Sequence, residues 1–391
     1  METENNGKRK RILIFSTAYL PHIGGAELSL RDMLDNLPEY EFDLICAKLK
    51  KGLKSEEQVG GARVFRIGRG SKIDKFRLPL FGALKGLRLH RQKKYDGLWS
   101  VSASRGSLAA LFFKWRHPEV PFLFTSQNGQ PVEEIRRKFF LISPVFNQIF
   151  KKVDYLHSAS TYLEKVAREL GVTAKGAIVP NAVDLKKFRL SPEVRANFRK
   201  ETRAALGLSK DDIVVVSVGR LAKKNGLADL IKSAVLVKGI KILLPGGGEL
   251  ESELKKLAQE LGVGDRVLFP GSVDHAQVPR YLAAADIFCR PSLSEGLGSV
   301  FLEAMVAGLP VLATPVGGIP DFLVDGRTGL FVKVNNPEDL AEKIEKLIKE
   351  PELRERLIKN GEELVLKEYG IGVIIEKTRR LLNEFLKVKL D

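Results

Sequence analysis

Short unbroken apolar runs alternate along this chain with stretches in which apolar residues recur every three or four positions. The run at 12–16 comes first. It is followed by a loop holding Pro21, Gly24 and Gly25 and by a periodic stretch at 27–37, which predicts strand, loop and helix. Strands are also predicted at 42–47, 97–101 and 122–125, with helices at 107–115 and 143–153. A second series begins with the run at 213–219 and continues through a helix at 227–237, a strand at 241–244 and a helix at 249–261. Strands at 267–269, 287–289 and 310–313 and helices at 278–285 and 299–307 complete it. Near-continuous apolar strands belong to parallel sheets covered on both faces, so each series predicts a doubly wound α/β domain. Pro192 and a charged helical stretch at 193–206 separate the two. The expected division is 1–190, 191–370 and 371–391, the last a helix with no strand left to serve that crosses back to the first domain.

With 391 residues, the chain is long enough for two cores. Its 44% apolar and 29% charged residues exclude a disordered chain. Cys46 and Cys289 fall one in each half, which gives no disulfide framework and suits a reducing, cytoplasmic setting. The first residues lack the apolar length of a secretory leader. The uncharged stretch 304–320 is broken by Pro310, Pro315 and Pro320, so no membrane-spanning helix is expected.

The net charge of +16 is uneven: residues 1–200 hold 37 Lys and Arg against 20 Asp and Glu, the remainder 27 against 28. Residues 44–118 hold 18 basic residues against 4 acidic, Arg63, Arg66, Lys72, Lys75, Arg77, Lys85, Arg88 and Lys93 among them. Either these are solvated faces, or they meet anionic lipid at the inner face of a membrane or a phosphate-bearing partner. No zinc spacing, helix-turn-helix pattern or aromatic interleaving accompanies them, so no specific nucleic-acid partner is expected.

In doubly wound sheets, ligands bind beyond the carboxyl ends of the strands. Three such loops carry candidate chemistry. Gly24-Gly25-Ala26-Glu27 opens a helix whose free N–H groups suit an anion, although a tight strand-to-helix turn accounts for the glycines equally well. Arg220 and Lys224, in the loop 219–226, are cations suited to a diphosphate, or else residues of a solvated loop. The third loop holds Glu295 in a Gly-rich turn, then Leu297, Gly298 and Ser299 at a helix start, and Glu303 eight residues after Glu295. A carboxylate among the apolar neighbours of Glu303 is costly to bury alone, and two ribose hydroxyls would satisfy it.

This last stretch, with Ala304-Met305-Val306-Ala307-Gly308-Leu309-Pro310-Val311 after it, resembles the signature of family-4 retaining glycosyltransferases of the GT-B fold. Supporting matches are Gly24-Gly25-Ala26-Glu27, Val179 to Asp184 ending near Phe188, Gly219-Arg220-Leu221, Gly246-Gly247-Gly248, Gly317 to Asp321 and Asp325 to Leu330. The resemblance implies two Rossmann-like domains facing each other across a cleft, and transfer of a sugar from a nucleotide-diphosphate sugar to an acceptor hydroxyl of a glycan, lipid or small molecule. It implies Glu303 on the donor ribose, Glu295 on the donor sugar, and amides from Leu297 to Ser299 on sugar and phosphate. Gly24, Gly25 and Gly247 would line the donor, and Arg220 with a neighbouring lysine would balance the leaving diphosphate. Glu27, His22, Gln127 and Asn128 are expected on the sugar or acceptor side.

Two positions depart from that family's pattern: Asn225 replaces the lysine five positions after Arg220, which passes the role to Lys224, and Thr125 to Gly129 carries no histidine. No metal, and no cofactor beyond the donor, is expected, since the five histidines show no cluster spacing. A nucleotide-sugar epimerase, a phosphorylase-like GT-B enzyme and a catalytically weak relative are the alternative readings.

Overall fold

The structure is a computed structural model that describes residues 9–22, 24–127, 129–388 and 390. It divides into two units, one reaching Asn181 and resuming at Ile374, the other spanning Ala182–Val373.

The first unit holds an eight-stranded sheet made of β1 (Lys10–Phe15), β2 (Tyr40–Ala47), β3 (Glu56–Val59), β4 (Ala62–Ile67), β5 (Gly97–Val101), β6 (Phe122–Ser126), β7 (Tyr155–Ser158) and β8 (Gly176–Ile178). Their order is β3-β4-β2-β1-β5-β6-β7-β8, parallel throughout except for the edge pair β3/β4. Ile12, Leu13, Ile14 and Phe15 of β1 are fully buried, as a strand covered on both faces requires. β3 and β4 have no counterpart in the apolar pattern, because β3 alternates exposed and half-buried positions and reads as polar. β7 and β8 are absent from it too, each only three or four residues long.

The second unit holds β9 (Ile213–Val216), β10 (Ile240–Leu243), β11 (Val267–Leu268), β12 (Ile287–Arg290), β13 (Val311–Ala313) and β14 (Leu330–Phe331), all parallel, in the order β11-β10-β9-β12-β13-β14. Helices Pro337–Lys349 and Pro351–Glu368, each with proline in its first turn, follow β14.

The division falls at Asn181, earlier than the expected 190. The Val183 amide bonds the Tyr369 carbonyl at 2.8 Å, and Phe188 lies in the same apolar core as Tyr369. The charged helix Pro192–Ala205 is likewise part of the second unit. Its Arg199 and Arg203 donate to Asp286 at 2.6 and 2.8 Å, and Asp286 also accepts the Val214 amide of β9 at 2.8 Å. The closing helix Ile371–Phe385 buries Ile374, Leu381, Leu382 and Phe385. Its Asn383 accepts from Tyr40 Oη and its Glu384 from Tyr155 Oη, both at 2.9 Å, which fixes it on the first unit.

Candidate active site

In the second unit the strand order reverses between β9 and β12, and the loops beyond these two strands carry Arg220, Lys224, Asn225 and Glu295. β12 ends on Arg290, a buried cation that the apolar pattern hides because it continues the strand. Its Nη2 donates to the Val218 carbonyl, and its Nη1 lies 3.8 Å from Glu295 Oε2. Burial pulls the Arg290 pKa below the ordinary arginine value, while Glu295 and Glu303 pull it back up.

Glu295 Oε1 accepts the Gly296 amide at 2.9 Å and has Lys224 Nζ at 3.9 Å. The carboxylate, 12% exposed, therefore faces a buried cation on one side and an exposed one on the other. The two loops are joined through the backbone, with the Leu293 amide donating to the Lys224 carbonyl at 2.7 Å. Asn225 is buried and points inward, its Nδ2 donating to the Arg220 carbonyl at 2.6 Å. Arg220 is exposed. Gly247 braces the loop from behind, its carbonyl accepting the Leu221 amide at 3.0 Å. Ser217 Oγ, Asn225 Oδ1, Arg290 Nε and Ser292 Oγ are buried and have no partner among the described residues.

Gly298, at φ +89°, turns the chain into the helix Ser299–Val306. Leu297 is buried, while Gly298 and Ser299 are half-buried. Glu303 also has a partner within the protein: its Oε1 lies 3.0 Å from His275 Nε2, and His275 Nδ1 lies 2.6 Å from Lys187 Nζ. Neither His275 nor Lys187 stands out in the sequence, because they sit 28 and 116 residues from Glu303 and only the fold joins them.

In the first unit, Gly24 is the extended residue before the helix Gly25–Asp35, whose first turn carries Glu27. A Cβ at Gly25 would meet open space, so the protein's own packing does not demand glycine there. Gln127 Nε2 and Ser29 Oγ both donate to Asn181 Oδ1, at 2.9 and 2.8 Å, which seats Gln127 beside that helix. His22 Nε2 is buried without a partner among the described residues, and Asn128 lies outside them. Behind Gln127, Trp99 Nε1 donates to Thr125 Oγ1 at 2.7 Å, Thr125 bonds His157 Nδ1 at 3.0 Å, and His157 Nε2 donates to the Val179 carbonyl at 2.9 Å.

The sequence gives no metal-cluster spacing, yet the fold brings His90, His117 and Glu119 of the first unit together. His90 Nδ1 accepts the Tyr95 amide at 3.1 Å, which leaves the ring proton on Nε2 and makes this histidine a poor ligand. The basic segment is also less free than its composition suggests. Arg63 pairs with Asp43, Arg66 with Glu57, Arg77 with Asp74 and Lys93 with Glu41.

Two doubly wound parallel sheets in one chain, with charged residues gathered at a strand-order reversal, define the GT-B class. Sucrose-phosphate synthase from Thermosynechococcus elongatus shares the fold with a TM-score of 0.81, covering 97% of this chain and 100% of that one at 22% identity. Residues 198–364, all within the second unit, match the family of glycosyl transferases group 1. It is 36% identical to the lipopolysaccharide core biosynthesis glycosyltransferase LpsE of Rhizobium meliloti over 46% of this chain and 52% of that protein, so the match spans about half of LpsE. It is also 27% identical to the GDP-mannose-dependent alpha-(1-6)-phosphatidylinositol monomannoside mannosyltransferase of Mycobacterium tuberculosis, over 86% of this chain and 89% of that one.

Proposed function

We propose that this protein is a retaining glycosyltransferase that moves a sugar from a nucleoside-diphosphate sugar to an acceptor hydroxyl, without a metal. The observation that carries the reading is the pair of buried carboxylates, Glu295 and Glu303, on either side of one helix start and each met by cationic or N–H donor groups of the same unit. The unpartnered polar atoms at the ends of β9 and β12 support it, since each costs about 1–3 kcal/mol unless a polar group meets it. In the proposed reaction the bond from the anomeric carbon to the diphosphate breaks and its electron pair leaves with the phosphate oxygen. The acceptor oxygen bonds the same face of the sugar and passes its proton to that phosphate. Arg220 and Lys224 balance the growing charge, and Glu295 holds the sugar.

The test is proton NMR of reactions containing UDP-, GDP- and ADP-sugars with alkyl-glycoside acceptors. Retention of the donor's anomeric configuration in a new glycosidic bond is the expected result. An inverted linkage would overturn the retaining assignment, and an epimerised or phosphorolysed donor would favour the alternative enzymes.

The acceptor side is proposed to meet an anionic lipid surface. Ile73, Phe76, Leu80 and Leu84 recur along one face of the segment 73–84 and are each more than half exposed. Lys72, Lys75, Lys85 and Arg88 flank them and form no ion pair among the described residues. No described helix is long and apolar enough to cross a membrane. Each such cation near a charged membrane adds about 1 kcal/mol, so partition onto phosphatidylglycerol vesicles should exceed that onto phosphatidylcholine vesicles at low salt. Equal partition would remove the idea.

A further inference from the structure

We infer that His275, set by Lys187, is the residue that positions Glu303 to take the donor ribose. The inference rests on the donor-site reading above and adds to it two residues outside the glutamate signature. An ammonium has no lone pair, so at 2.6 Å Lys187 Nζ donates and His275 Nδ1 accepts. The imidazole proton therefore sits on Nε2, where at 3.0 Å it donates to Glu303 Oε1. One carboxylate oxygen is thereby committed, and among the described residues no hydrogen bond engages Glu303 Oε2. A carboxylate fixed in this way presents one oriented oxygen to a vicinal diol, where a free one would rotate between partners.

Each member of the chain is braced by local structure. His275 begins a short helical turn whose entry is capped by Asp274, with Oδ1 accepting the Ala276 amide at 2.8 Å. The Phe188 ring lies 5.5 Å from the imidazole, tilted by 56°. Lys187 lies in the turn Leu185–Phe188, capped by Asp184, which accepts the Lys187 amide at 3.2 Å. This gives the Val179 to Phe188 motif, otherwise without a role in the chemistry, a task at the donor site. His275 is 31% exposed, within reach of a ligand's surroundings, whereas Glu303 is 11% exposed.

The test is calorimetric binding of UDP and GDP, each beside its 2′,3′-dideoxy counterpart, to wild type, His275→Ala, His275→Gln, Lys187→Met, Glu303→Ala and the His275→Ala/Glu303→Ala double variant. Losing a hydrogen bond to a charged group should raise the ribonucleotide dissociation constant about tenfold for His275→Ala. Lys187→Met should move it in the same direction. The dideoxy nucleotide should be unaffected, His275→Gln should recover part of the loss, and the double variant should bind no worse than Glu303→Ala alone. A loss shared equally by ribo and dideoxy nucleotides, or a double variant showing the sum of the two single losses, would overturn the positioning role. If Glu303→Ala weakens ribonucleotide while His275→Ala and Lys187→Met do not, this inference alone fails. If Glu303→Ala binds ribonucleotide as wild type does, the donor-site reading fails with it. Thermal midpoints of all variants show which are folded, and Lys187→Met carries the test if His275→Ala is not.

Discussion

Gly298→Ala separates the two jobs of the turn that links Glu295 to the helix holding Glu303. Gly298 adopts φ +89°, and left-handed backbone costs a residue with a Cβ about 1–2 kcal/mol. The added Cβ would also sit 2.5 Å from Phe301 Cδ2 and 3.1 Å from Glu295 Cγ. Carbon atoms pack best at about 3.5–4.0 Å, so ring and turn must part by about 1 Å. Phe301 has little room to yield, being fully buried with ring neighbours Phe288 at 5.4 Å and Phe322 at 5.9 Å. Overpacking of this kind adds about 1–3 kcal/mol. If the turn moves instead, it carries Glu295 with it, and a displacement of about 1 Å costs about 10²-fold in turnover. Gly326→Ala is the control, because Gly326 has φ +71° and nothing within 4 Å of the added Cβ. Paired denaturant melts and rate measurements should show both variants destabilised, Gly298→Ala by about 1–3 kcal/mol more, and turnover lost in Gly298→Ala alone. Equal melting and wild-type turnover in both would refute the reasoning.

Lys224→Ala should lower turnover about 10²–10³-fold by removing one cation from the leaving diphosphate, and Asn225→Lys on that background should restore part of it; a wild-type rate for Lys224→Ala would contradict the role. Turnover should survive EDTA, whereas complete loss reversed by Mg²⁺ or Mn²⁺ would show a metal in the reaction. Burial lowers His157 to about 4, below the ~6.5 of an exposed histidine. Between those values the unfolded chain binds a proton that the folded form does not, so stability falls as pH drops through this window, by about 3 kcal/mol at its foot. Urea melts at pH 7 and pH 4.5 should show a smaller drop for His157→Gln than for wild type, and equal drops would contradict the assignment.

Where a strand is buried on both faces, composition alone reveals it, which is why β1, β5, β9 and β12 follow directly from their apolar runs. The pattern fails at β3, a polar edge strand that alternates exposed and half-buried positions, and at β8, three residues long. Among the functional candidates, Glu295 and Glu303 are legible because one loop and one helix hold both. Arg290 is not, since a charge at a strand end breaks no period, and burial beneath the 217–226 loop is settled by pairing of β9 with β12. His275 and Lys187 come to Glu303 from separate loops, and no local spacing encodes that meeting. The free basic surface is smaller than the charge count implies, because ion pairs such as Arg63 with Asp43 form across strands β4 and β2.

The central claim is that Glu303 holds a nucleotide-sugar donor. Its most direct test is calorimetric titration of UDP-glucose and GDP-mannose into wild-type protein and Glu303→Ala. The account predicts that wild type binds at least one donor, that Glu303→Ala binds it at least about tenfold more weakly, as loss of a charged hydrogen bond requires, and that circular dichroism is unchanged. Equal affinity in the two proteins, or no binding of either donor or of free UDP and GDP to wild type, would contradict it.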